Sequence, residues 1–142
     1  MNILLVEDNP GDILLAKEAL KEGGLTTFRL DVANDGVEAL DYLQTADNAG
    51  LAELPDLILL DLNIPKVNGL EVLKTIKNNK KLRVIPVVVF STSEAQYDIN
   101  ESYRYHANCY VAKPVDFDEF VSVIQSIVSF WSRVSRVSSS TL

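Results

Sequence analysis

Five strand-like runs, NILLV, FRLDVA, DLILL, VIPVVVF and CYVA, recur along the chain with helical segments between them. Continuous runs suit parallel strands covered on both faces better than antiparallel strands with one wet face. Strands alternating with helices build right-handed βαβ units. The expected architecture is therefore α/β: a doubly wound five-stranded parallel sheet with five helices. Asn9-Pro10 supplies a cap and first-turn pair for the first helix, and Gly23-Gly24 a stop. Asp35-Gly36 opens the second helix and Asn68-Gly69 the third, a fourth is expected over 93–105, and the last begins at Asp116.

A chain of 142 residues suits one domain, expected over 1–133, with 134–142 as a flexible tail. The formal charge of −7 argues against a general nucleic-acid surface. The opening MNILLVED has neither a basic leader nor a cleavage site, and VIPVVVF falls far short of the roughly 20 residues of a membrane span. No membrane contact and a cytoplasmic location are expected. A single cysteine, Cys109, excludes an intrachain disulfide and zinc-ligand spacing. His106 is the only histidine, which excludes a multi-histidine metal site.

In such sheets ligands gather outside the carboxyl ends of the strands. Four of the five runs end there in a residue able to do chemistry: Glu7-Asp8, Asp61, Ser91 and Lys113. Three carboxylates at one spot repel one another unless a cation offsets them. Mg²⁺ is the natural cation, since it takes oxygen ligands and keeps waters that a phosphate displaces. Lys113 adds a point charge for a phosphoryl oxygen and Ser91 a hydroxyl. The set reads as a site for phosphoryl transfer to Asp61 by positioning and charge neutralisation.

ILLVEDNPGD, ILLDLNIPKVNGLEVL, PVVVFSTS and YVAKPV together resemble the receiver domain of two-component response regulators, over about residues 2–131. LLDLNIPK, NCYVAKPV and the later SIVSFW resemble the single-domain regulators that work with phytochrome-type histidine kinases. The resemblance implies the flavodoxin-like receiver fold and a protein that accepts a phosphoryl group from a sensor histidine kinase of that type. Asp61 is then the phosphoacceptor. Asp8 ligates Mg²⁺, Glu7 acts through water, and Asn63 offers its backbone carbonyl to the metal. Ser91 senses the phosphoryl group, Lys113 contacts one of its oxygens, and the Lys113–Pro114 peptide bond is cis. Tyr110 matches the aromatic switch that swings inward as Ser91 moves. The output is contact with an unidentified downstream protein.

The last helix carries two apolar stripes by its period of 3.6 residues. One runs through positions 117, 120, 121, 124, 128 and 131; the other through Val123, Ile127, Phe130, Val134 and Val137. The second stripe is expected to form a homodimer interface, as the resemblance to phytochrome-associated regulators also implies. The basic stretch Lys66, Lys74, Lys77, Lys80, Lys81 and Arg83 reads as a solvated face. The competing functional reading is an unphosphorylated pseudo-receiver, a scaffold dimer that keeps the shape alone. A haloacid-dehalogenase-type phosphatase is disfavoured because Asn63 stands where a second acid is needed. A flavin or nucleotide binder is disfavoured because the first loop, VEDNPGD, is acidic.

Overall fold

The structure is a computed structural model that describes residues 1–23, 28–50 and 54–134. Gly24, the Val134 side chain, Val137 and the tail from 135 lie outside the described residues. The elements run β1 (Asn2–Val6), α1 (Pro10–Glu22), β2 (Arg29–Ala33), α2 (Gly36–Ala49), β3 (Leu57–Leu60), α3 (Gly69–Asn78), β4 (Val87–Ser91), α4 (Gln96–Arg104), β5 (Cys109–Ala112) and α5 (Phe117–Ser129). A wide final turn of π type, Phe130–Val134, continues α5. All strand pairs are parallel, in the order β2-β1-β3-β4-β5.

Alternation along each strand feeds two cores. Leu4, Val6, Ile58, Leu60, Val87 and Val89 pack with α2 and α3, whereas Ile3, Leu5, Leu57, Leu59, Val88 and Phe90 pack with α1 and α5. Strands β3 and β4 are buried along their whole length, as unbroken apolar runs require.

Side chains that compete for backbone N–H groups set the helix starts. Asn9 accepts from the amides of Gly11 and Asp12, with Pro10 in the first turn. Asp35, Asn68 and Asp116 accept from the amides of Glu38, Glu71 and Glu119. The fourth helix runs over Gln96–Arg104, inside the expected 93–105, and Ser93 lies before it with its hydroxyl donating to Asp98 in the first turn and accepting from the Ala95 amide.

The last helix departs from its expected pattern. Ile127 is buried in the chain's own core beside Phe120, Ile124 and Val128, with Val123 half-buried against the same cluster. Ile127 therefore does not form part of an exposed stripe. The cause is α1, which packs alongside α5 so that a wider arc of α5 is covered than the sheet alone would cover; the Gln125 side chain donates to the Ala19 carbonyl across that contact. Phe130 remains 48% exposed, its ring edge-on to Trp131. Phe117, assigned to the inner stripe, is 71% exposed at the first position of α5.

Candidate functional site

The chain winds from β1 out to β2 and then crosses back to place β3 on the other side of β1. Such a reversal leaves a crevice at the carboxyl ends of the two central strands. Val6 and Leu60 are register partners, so the next residues, Glu7 and Asp61, emerge side by side. Backbone bonds extend the ladder under them: Asp61 N–H donates to the Val6 carbonyl and Glu7 N–H to that of Ala33. Lys113 N–H donates to the Ser91 carbonyl at 2.8 Å, which brings the end of β5 to the end of β4.

Two glycines let the loop after Asp61 lie close. A Cβ on Gly69 would stand 2.5 Å from both the Asp61 carbonyl oxygen and Leu62 Cα, and one on Gly36 would stand 1.8 Å from the Val67 carbonyl oxygen. These are backbone atoms with nowhere to go, so both positions need hydrogen as a side chain.

Lys113 is the centre of the site. Its side chain is 4% exposed, and its ammonium donates to Glu7 Oε1, to Asp61 Oδ2 at 2.9 Å and to Asp12 Oδ2 at 2.9 Å. Glu7 Oε2 accepts from the amides of Asp8 and Asn9, and Asp61 Oδ1 from the amide of Asn63 at 3.1 Å. Asp8 is exposed at the rim, while Glu7 and Asp61 are buried. Burial pushes the Glu7 carboxyl up to about 7, against the pull of Lys113. Burial also raises Asp61, but Lys113 and the Asn63 amide outweigh it and hold Asp61 below the usual carboxylate range. Lys113 loses hydration by burial, yet its carboxylate partners raise it well above an ordinary lysine. One ammonium cannot balance two buried acids and their neighbours, so the two carboxyls are pushed apart, Glu7 upward by burial and Asp61 downward by Lys113.

Oxygen atoms from Glu7, Asp8 and Asp61 lie within 4.8 Å of one another. Hard oxygens from separate strand ends, with more acid than Lys113 neutralises, fit Mg²⁺.

Ser91 closes β4 and is fully buried; its Oγ accepts from the Ser93 amide at 3.3 Å. The half-buried Tyr110 on β5 donates its hydroxyl to the Ser93 carbonyl at 2.7 Å, and burial raises its pKa. Glu7, Asp61 and Lys113 are thus in direct contact and Asp8 adjoins them, whereas Ser91 and Tyr110 meet at Ser93. The expected cis bond before Pro114 is absent: every peptide bond among the described residues is trans. The trans form is the ordinary preference of an X–Pro bond, and it already delivers the Lys113 ammonium to its three carboxylates. Asp12 was not anticipated. The only signal for it is its place in the first turn of a helix that starts from the acidic loop.

The response regulator receiver domain profile matches residues 3–125. Response regulator Rcp1 of Synechocystis sp. is 43% identical over 129 residues, which are 91% of this chain and 87% of that protein. The structure aligns with the phosphorylated cyanobacterial phytochrome response regulator RcpA at a TM-score of 0.89 and 42% identity, over 97% of this chain and 98% of that one. It aligns with the Mn²⁺-bound form of Rcp1 at 0.87 and 40% identity, over 97% and 99% of the two chains. A profile match across most of the chain, with a strand-end pocket suited to a divalent cation, establishes that the protein belongs to the response regulator receiver domain family of two-component signalling.

Proposed function

We propose that Asp61 accepts a phosphoryl group from the histidine of a phytochrome-type sensor kinase and that the protein then signals by contact with another protein. The observation that carries this reading is the Lys113 ammonium held against Asp61 Oδ2 inside an otherwise acidic pocket. In the transfer the phosphorus–nitrogen bond to the kinase imidazole breaks, its electron pair returns to nitrogen, and a carboxylate oxygen of Asp61 forms the new bond to phosphorus. Asp61, ionised beside Lys113, is the nucleophile. Lys113 balances charge on a phosphoryl oxygen once the acyl phosphate has formed. Glu7, Asp8, Asp61 and the Asn63 carbonyl would hold Mg²⁺, which supplies charge neutralisation between the incoming phosphoryl group and the acids. Ser91 senses the phosphoryl group and Tyr110 carries its state toward α4 and β5.

Incubation with the phosphorylated kinase and Mg²⁺ tests the assignment. Wild type acquires label and Asp61→Ala does not; label persisting on Asp61→Ala refutes it. This is also what separates the reading from an unphosphorylated scaffold, on which neither protein is labelled.

The exposed Phe130 supports a second element of the proposal, a homodimer through the last helix, with Val123 at its edge. Sedimentation of wild type against Phe130→Asp decides it: a dimer that dissociates on substitution supports the interface, and a monomeric wild type with and without phosphate ends it. No helix among the described residues is long and apolar enough to cross a membrane, which accords with a cytoplasmic role beside the kinase.

A further inference from the structure

An ammonium has three hydrogens to donate, and each one on Lys113 meets a different carboxylate: Glu7 Oε1, Asp61 Oδ2 and Asp12 Oδ2. The three acids are not equivalent. Glu7 and Asp61 belong with Asp8 to the group of oxygens close enough together to hold a cation, and Asp12 lies outside that group. Asp61 is also the acceptor in the reading above. Both buried partners of Lys113 thus have a second task in the reaction, and Asp12 has none. Nor is Asp12 needed to start its helix. Asn9 already caps α1 by accepting from the amides of Gly11 and Asp12, which leaves the Asp12 carboxylate to turn to the ammonium at 2.9 Å. Its side chain is 24% exposed, against 3% for Glu7 and 8% for Asp61, so it meets Lys113 from the wetter side.

We infer that Asp12 is a positioning residue for phosphoryl transfer: it keeps one N–H of Lys113 while Glu7 and Asp61 turn to the cation and the phosphoryl group. The role rests on Asp61 being the acceptor, as proposed above. A lysine needs such a holdfast because its charge rides on a flexible four-carbon stem with no directional preference of its own. The Lys113 backbone is fixed, since its amide donates to the Ser91 carbonyl, but the aim of the ammonium is set by its partners alone. An ionised pair joined by a hydrogen bond is among the stronger side-chain contacts. Here it spans the first turn of α1 and the residue after β5, 101 positions apart in the chain. With Asp12 in place, the ammonium stays beside Asp61 when its bonds to the buried acids loosen. Without it, the stem is held only by groups that the reaction engages elsewhere.

Two measurements on the full chain test the role. In the first, nitrogen-detected magnetic resonance follows the Lys113 ammonium with saturating Mg²⁺ and no phosphoryl donor. Its protons exchange with water about tenfold faster in Asp12→Ala than in wild type, and the gap narrows when Mg²⁺ is withdrawn and Glu7 and Asp61 hold the ammonium again. In the second, a small acyl phosphate donor labels each protein at saturating donor and Mg²⁺. Labelling of Asp12→Ala is about tenfold slower than that of wild type, and Asp12→Glu, which keeps the carboxylate, recovers most of the rate. In a Lys113→Ala background Asp12→Ala slows labelling no further, because its effect passes through the ammonium. Equal ammonium exchange in Asp12→Ala and wild type with Mg²⁺, an unaltered labelling rate in Asp12→Ala, or further slowing in the Lys113→Ala background overturns the inference. The ammonium is read without a donor, so a failure there is distinct from a failure of wild type to take label at Asp61.

Discussion

Lys113 faces Glu7, Asp12 and Asp61 with one ammonium, and the unequal outcome for the acids is the source of the site's pH behaviour. Glu7, raised by burial from 4.5 to about 7, binds more protons in the folded state than in the unfolded one across that window. Its contribution therefore favours the fold most below pH 4.5 and is lost as pH rises to about 7, an effect on the order of 3 kcal/mol. Asp61, held below its usual range by Lys113, works the other way: its contribution is present above about pH 4 and is lost below. Denaturant melts of the metal-free protein should show stability declining from pH 5 to 7, and Glu7→Gln should flatten that decline. An unchanged slope in Glu7→Gln would place the titration elsewhere. At this scale Glu7, Asp61, Ser91 and Lys113 were legible because each interrupts or closes an apolar run. Asp12 was not. Its value depends on the end of β5 coming over the first turn of α1, residues about a hundred positions apart, and a first-turn acid reads equally well as a partner of the helix dipole.

At the scale of elements, the loop from β3 into α3 shows how backbone clearance serves chemistry. Gly69 donates its amide to the Leu62 carbonyl, Gly36 donates to that of Pro65, and both approach backbone too closely for a methyl group. Gly69→Ala should cost about 1–3 kcal/mol and slow phosphoryl uptake, because the displaced atoms belong to Asp61 and Leu62. A chemical melt with a labelling time course checks both, and an unaltered labelling rate would separate the loop from the reaction. The basic stretch around α3 is largely the solvated face expected, with Lys66, Lys80, Lys81 and Arg83 exposed. Lys66, Lys74 and Lys81 pair with Asp35, Glu71 and Asp47, and Lys77 turns inward to the carbonyls of Arg83 and Ile85 and to Asn108 Oδ1. Helix starts were legible from Asn9, Asp35, Asn68 and Asp116 because capping is local chemistry. The faces of α5 were less so: periodicity orders residues around a helix but does not say how wide an arc its neighbours cover, and α1 took Ile127 out of the supposed outer stripe.

For the whole molecule, one topological fact converts sequence into chemistry. The order β2-β1-β3-β4-β5 puts the ends of β1 and β3 side by side, with β4 and β5 following. Acids far apart in the chain become neighbours only in that order, and Lys113 then reaches them from the sheet's edge. The alternation of strands and helices made the fold class legible. The trans bond before Pro114 was not, since either isomer is compatible with the same composition. The central claim is that a divalent cation and Asp61 act together as the phosphoryl acceptor. Intact-mass spectrometry after exposure to a small acyl phosphate donor tests it most directly. The account predicts a gain of one phosphoryl group that requires Mg²⁺, disappears with a chelator and is absent from Asp61→Asn. A gain that survives the chelator, or that appears on Asp61→Asn, would contradict it.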